Sequence, residues 1–367
     1  MIYKIIPKGG FHFGRTGIGI EEADEIVHSD TLFAALASAW SSLGGEYGKI
    51  GSNNNLHILE PFRKEKPPFK ISSAFPYAGE VLFFPCPYVG FGRYEVIKKV
   101  KYISVGALKR LNQSTIPSQK EAEREFIQGG MVWVTPEERE KIVELLIQKG
   151  GEEEQKSLKA KFKSDLSSIR LWFNDDSSIT ARVALGRVTK ESALYFQGQL
   201  RFAEGCGLYF WVEFYDSSYK KYLESALNFL EDEGIGGRRS IGLGQFIFKE
   251  ESVPLPKVDA ANYQMTLSLC HPSEEEIQVD ILRQSQYELV KRCGWSRLRG
   301  KSDYRQRSLR MFKEGSIFPL NANLMGTFTD VSPIDEEGYS LIGQPVWRYG
   351  LALSLPLVIK FEEADRK

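Results

Sequence analysis

Gly234-Ile-Gly-Gly-Arg-Arg-Ser-Ile-Gly-Leu-Gly-Gln-Phe246 sets five glycines around Arg238, Arg239 and Ser240. Glycine reaches positive φ at no steric cost, so such a loop can turn its amides toward one anion. Two arginines and a hydroxyl at its centre make a phosphate the natural choice. Residues 216–233 carry Tyr219, Tyr222, Leu223, Ala226, Leu227 and Leu230 at helical spacing, and residues 245–249 read as a strand. The order is therefore helix, loop, strand. A mononucleotide fold needs the reverse, a strand leading into a helix whose N-terminus holds the phosphate. Here the loop leaves the negative end of a helix dipole.

Upstream, residues 2–8 read as a strand, and Ser29 as the N-cap of a helix that Gly44 and Gly45 end. Residues 71–84 read as strand with a turn at Ala78-Gly79, and 207–215 as another strand. Strand, helix, two strands, helix, glycine loop, strand is the split βαβ order. The class expected is α+β: a ferredoxin-like unit over 1–250, with residues from about 97 to 200 inserted before its third strand. Within the insertion, Thr135-Pro-Glu-Glu138 is a capping box and residues 150–156 read as a solvated link. After a stiff Val253-Pro-Leu-Pro256, residues 251–367 read as a second, abbreviated ferredoxin-like domain. Its expected parts are a strand at 263–270, a helix at 274–292 and closing strands at 349–357. At 367 residues the chain has room for two domains, each with its own core.

Apolar (42%) and aromatic (12%) contents are those of a globular protein and argue against disorder. The 48 basic and 48 acidic residues cancel, but they are segregated. Lys291 to Lys313 holds nine cations against Asp303, and Lys98, Lys99, Lys101, Lys109 and Arg110 form a second cluster. The four cysteines are scattered and signal neither zinc nor a disulfide framework. No secretory pattern opens the sequence, and the apolar run 349–359 is too short to cross a bilayer. A cytoplasmic protein without metal or cofactor is expected.

The loop resembles the glycine-rich loop of the RAMP superfamily of CRISPR-associated proteins. Phe11-His-Phe-Gly14, Gly17-Ile-Gly-Ile20 and Ile26-Val-His-Ser-Asp-Thr-Leu-Phe33 narrow the likeness to one branch, the fourth subunit of the type III-A (Csm) complex. Phe312-Lys-Glu-Gly-Ser-Ile-Phe318 and Val346-Trp-Arg-Tyr-Gly350 are similar to blocks of that subunit. The resemblance implies a non-catalytic protein that grips the 5′ handle of CRISPR RNA, with the insertion a thumb on the guide. It also implies two protein partners, the large signalling and nuclease subunit and the repeated backbone RAMP subunit, and an indirect meeting with target RNA. It implies RNA contacts at Phe11, His12, Phe13, Arg15, Ser29 and Arg187, and at Gly234, Gly236, Gly237, Arg238, Arg239, Ser240, Gly242 and Gly244. Arg297, Arg299, Lys301, Arg305 and Arg307 are read as contacts to RNA or to a neighbouring subunit.

Two other readings compete. Some RAMP relatives process precursor RNA as metal-independent endoribonucleases, and His12 is the histidine placed to serve such a site. General-base work also needs a second acid–base group, which no spacing marks. The equivalent subunit of a type III-B complex is the third reading. Phe11 and Phe13, flanked by glycines, are expected to present faces to unpaired bases.

Overall fold

A computed structural model describes residues 1–14, 23–44, 58–64, 66–89, 92–148, 151–174, 179–185, 192–253, 256, 258–296 and 303–361. Four strands lie side by side in the order Phe246–Glu251, Ile2–Pro7, Cys206–Phe214, Phe75–Ala78, each antiparallel to its neighbour. In chain order these are the fourth, first, third and second strands of the split βαβ pattern. The turn after Ala78 falls on Gly79 (φ 58°), and Val81–Pro85 pairs back on the second strand. From there the sheet runs on through Tyr102–Ser104, Val132–Trp133 and Phe126–Ile127. The inserted region thus extends the sheet edge before it leaves it. Its outlying hairpin pairs Thr180–Leu185 with Ser192–Gln197, and Val183 and Leu194 are exposed there.

Helices Ser29–Leu43 and Lys220–Glu233 pack against each other. The first buries Leu32, Phe33, Leu36, Ala39 and Trp40; the second buries Leu223, Ala226, Leu227 and Leu230. Both sets recur at three and four residues, one stripe of a 3.6-residue repeat. Trp40 donates its indole N–H to the carbonyl of Tyr222 at 2.8 Å, so the ring is buried with its polar atom satisfied.

Three expectations need correction. The two halves share one core instead of having one each. Phe33 stacks on Tyr349 (centroids 4.7 Å apart), and the Tyr349 hydroxyl accepts from the amide of Ile71 at 2.8 Å. Among the described residues, only a small satellite around Cys270, Phe312 and Phe318 stands apart from the core. The helix expected at 274–292 shrinks to Val279–Arg283, and Leu289–Arg292 is a strand paired with Leu309–Phe312. Residues 287–292 alternate in exposure, a period of two that overrides weak helical propensity. Conversely, the supposed link is helix Glu152–Ser164. Its three glutamates at the start and two lysines at the end complement the helix dipole.

The second half contains a three-stranded sheet ordered Ile317–Pro319, Tyr263–Thr266, Ser354–Leu357. Gly326–Asp330 pairs with Trp347–Leu351, and a short ribbon pairs Trp295–Ser296 with Tyr304–Arg305. Residues 254 and 255 of the expected linker lie outside the described residues.

Candidate nucleic-acid interface

Helix Lys220–Glu233 ends on Gly234 (φ 77°), whose amide donates to Leu230 O at 2.7 Å. The loop is pinched at its base, where Ile235 N donates to Gly244 O at 2.9 Å. A Cβ on Gly244 would stand 2.1 Å from the Ile235 carbonyl oxygen, so only glycine closes this neck. One turn higher, the Gly237 amide donates to His12 O at 2.8 Å, and a Cβ on Gly236 would stand 2.7 Å from that same oxygen. Gly244 N also donates to Gly10 O at 2.9 Å. The N-terminal loop and the glycine loop, more than 220 residues apart in sequence, are thereby one structure.

The amides of Gly234, Gly237, Gly242 and Gly244 all donate to protein carbonyls. They hold the loop's shape and are not the amide cradle that their number suggested. What the apex turns outward is side chains. Arg238 adopts a left-handed conformation (φ 61°) that starts a single 3-10 turn, Arg239–Ile241, and Arg238, Arg239, Ser240 and Gly242 are exposed. Arg239 lies 3.7 Å from Glu233 with both side chains about half exposed. Such a surface pair is worth under about 1 kcal/mol and leaves the guanidinium open to a better anion.

Phe11 and Phe13 are not base platforms here. Phe11 is fully buried, Phe13 is 5% exposed, and they stack on each other with centroids 5.2 Å apart. A phenylalanine beside glycines can turn either way, and these turn into the core. His12 is also buried, its Nδ1 2.8 Å from Gly198 O. A carbonyl can only accept, so Nδ1 carries the proton. Ser29 is not the N-cap; His28 holds that position, and Ser29 is the first residue of the helix. The Ser29 hydroxyl is fully buried and accepts from the Leu269 amide at 3.0 Å, binding the halves together and not RNA. Arg15, Arg187, Arg297, Arg299 and Lys301 lie outside the described residues.

A cleft of about 500 Å3 opens beside the apex. Its walls are the first helix at Thr31, Ala35 and Ser38, the end of the second at Phe229 and Glu233, and the loops at His12, Gly236 and Arg239. Asp24, His28 and Arg292 also line it. Behind Arg292 and His28 is a charge network that sequence reading missed. Asp30, 2% exposed, accepts from Arg292 Nε at 2.9 Å, from Arg292 Nη2 at 2.8 Å and from Arg348 Nη1 at 2.7 Å. Burial alone would raise its pKa; Arg292 and Arg348 outweigh that and hold it at about 2. His28 Nδ1 lies 2.8 Å from Glu314 Oε1, which also accepts from the Ser73 hydroxyl. Burial would lower the histidine, but Glu314, with help from Asp24, raises it to about 9.

The basic run of 291–313 is not one face. Arg292 is buried on Asp30, Lys313 pairs with Glu288 at 2.8 Å, and Arg307 donates to the carbonyls of Ser332 (3.0 Å) and Asp330 (2.7 Å). Arg307 is thus held by backbone, whereas Arg305 is exposed on the short ribbon. In the second cluster, Lys98, Lys101 and Arg110 each meet a glutamate. Among the described residues, no group of three or more His, Cys, Asp or Glu side chains could hold a metal, and no helix is long and apolar enough to cross a membrane.

Residues 259–357 match the family model described as the CRISPR Csm4 C-terminal domain. A curated relative, the CRISPR system Cms protein Csm4 of Thermococcus onnurineus (strain NA1), is 27% identical over 80% of this chain and 79% of its own. In fold, the chain is similar to one from a solved Csm3–Csm4 subcomplex of a type III-A interference complex. The TM-score is 0.60 at 18% identity, covering 97% of this chain and 99% of the other. A chain from a Csm1–Csm4 cassette with cA4 gives 0.52 at 20% identity, covering 98% of each. The chain is similar, in sequence and in its mixed α+β fold, to a class of CRISPR-associated proteins. Within that class it is similar, along most of its length, to the fourth subunit of type III-A effectors, Csm4.

Proposed function

We propose that this chain is a non-catalytic subunit of a type III-A CRISPR effector and holds the 5′ handle of CRISPR RNA at the cleft beside the glycine loop. One observation carries the reading. Two exposed arginines stand at the apex of a loop pinned to the N-terminal loop through His12 O, and one of them, Arg239, lines a cleft of about 500 Å3. Guanidinium groups match phosphate oxygens bidentately, and a cleft lets a single strand enter edge-on. The strand order of the first half supports a ferredoxin-like unit, with the inserted region as its thumb; the second half is read as an abbreviated copy. By likeness to chains solved with Csm3 and with Csm1, the protein joins a backbone RAMP subunit to the large signalling and nuclease subunit, in the cytoplasm.

The non-catalytic part of the reading rests on His12, whose ring is buried and whose Nδ1 is held by a backbone carbonyl and not by a carboxylate. Such a ring is held as part of the loop's frame. The test is copurification of the expressed chain with its operon partners, sequencing of the bound RNA, and incubation of the pure protein with repeat RNA with and without divalent ions. Short RNAs sharing one 5′ sequence, and no cleavage, are expected. Cleavage by the wild type that disappears in His12→Ala would replace it with the endoribonuclease reading.

A further inference from the structure

The paired strands Leu289–Arg292 and Leu309–Phe312 carry a feature that the cleft does not explain. Lys291 and Arg310 are directly opposite each other in this antiparallel pair, and both are exposed. Opposite residues have Cβ atoms about 5 Å apart, and like charges there are destabilising. Four residues on from Lys291, Trp295 is 65% exposed and sits opposite exposed Arg305 in the ribbon. Tryptophan is rarely left so open, and an indole face with a guanidinium across from it suits a stacked, charged ligand.

At Lys291 this surface reaches a cleft that adjoins the first. Arg292 points inward to Asp30 and lines both the first cleft and this second one of about 580 Å3, which Lys291 also lines. The carboxylates in the second cleft are already engaged: Asp24 with His28, Glu25 with Lys101, Glu288 with Lys313. Asp303 is the exposed acid of the ribbon, next to Tyr304. The ribbon's base is braced, because Gln306 accepts from Arg348 at 2.6 Å and Arg348 is held by Asp30. The strand that faces the indole is thereby tied to the network at Asp30.

We infer that Lys291, Arg310, Trp295 and Arg305 form a second binding surface for the same single strand. Lys291 and Arg310 bridge one backbone phosphate, and an unpaired base stacks on Trp295 beside Arg305. The strand must be single, since a base inside a duplex has no free face to offer. An acidic protein would neutralise the cations but leave the indole needing an apolar pocket, so the mixed surface favours RNA. The inference rests on the RNA-binding reading above and adds where the strand goes on leaving the cleft.

The test uses the full chain and two fluorescein-labelled RNAs, one limited to the repeat-derived handle and one continuing into guide sequence. For the longer RNA, Lys291→Ala with Arg310→Ala should weaken binding and flatten the plot of log affinity against log salt by roughly 0.7 for each phosphate released. Trp295→Ala should weaken it about ten-fold with the salt slope kept, and Trp295→Phe should recover part of the affinity. The handle-only RNA should bind these variants as it binds wild type. Unchanged binding of the longer RNA overturns the inference, as does unchanged RNA binding joined with failure to associate with a coexpressed subunit. If handle RNA binds Arg238→Ala/Arg239→Ala normally, the cleft reading fails, and that outcome is separate from the ribbon result.

Discussion

Asp30→Asn should be among the most damaging conservative substitutions in the chain. The wild-type carboxylate is 2% exposed and takes two bonds from Arg292 and one from Arg348, whose side chains are only 10% and 12% exposed. Asparagine keeps the size but removes the charge, stranding two guanidinium groups in the joint between the halves. Breaking a buried pair by removing one partner costs about 3–5 kcal/mol, and one surviving amide bond puts this case near the low end, about 3 kcal/mol. In urea, with a slope of about 3 kcal/mol per molar, the midpoint should fall by about 1 M at unchanged slope. Tryptophan fluorescence and circular dichroism should report the same shift. Replacing all three residues with apolar ones (Asp30→Leu, Arg292→Met, Arg348→Met) should recover most of the stability, because no buried charge is then left alone. A midpoint for Asp30→Asn within about 0.2 M of wild type would refute the reasoning. The lowered pKa of Asp30 also sets a sign: its contribution is present above the ordinary carboxylate range and is lost as pH falls through about 2.

His28 gives the opposite sign. Its pKa is raised to about 9, so its contribution is full below about 6.5 and fades as pH climbs through 9. Wild type should therefore lose on the order of 2–3 kcal/mol relative to His28→Gln between pH 6 and pH 9.5; parallel urea curves across that range would contradict this. In the loop, Gly244→Ala should destabilise strongly, because its Cβ meets the Ile235 carbonyl oxygen at 2.1 Å and φ is 87°. Gly242→Ala, with the same φ but open space around it, should cost only about 1 kcal/mol, and equal melting-temperature losses for the two would be inconsistent with the pinched neck.

The elements legible in the sequence were those with local causes. The helical stripe ending in Gly234, the strand after the loop, the hairpin at Gly79 and the Thr135 capping box each depend on residues within one or two turns. Helix Glu152–Ser164 was legible too, by its end charges, although the glycines just before it suit a link equally well. What could not be read depends on long-range pairing. Nothing near Asp30 says that its partners are residues 292 and 348, or that Arg292 differs from the cations around it. Likewise, five glycines look alike in sequence. Only the packing separates Gly244, which closes the neck, from Gly236 and Gly237 against His12, and from Gly242 in open space. Charge alone marks the arginines in the sequence, and the fold leaves both exposed at the loop's apex.

The central claim is that Arg238 and Arg239 hold RNA phosphates at the cleft, and the measurement closest to it is the salt dependence of handle-RNA binding by Arg238→Ala/Arg239→Ala. Both side chains are exposed and the loop's shape depends on backbone bonds and glycines, so the variant should melt as wild type does. Its affinity should fall and its slope of log affinity against log salt should flatten by roughly 0.7 for each phosphate no longer held, about 1.4 if each arginine holds one. A folded variant that binds handle RNA with wild-type affinity and wild-type slope would contradict the account.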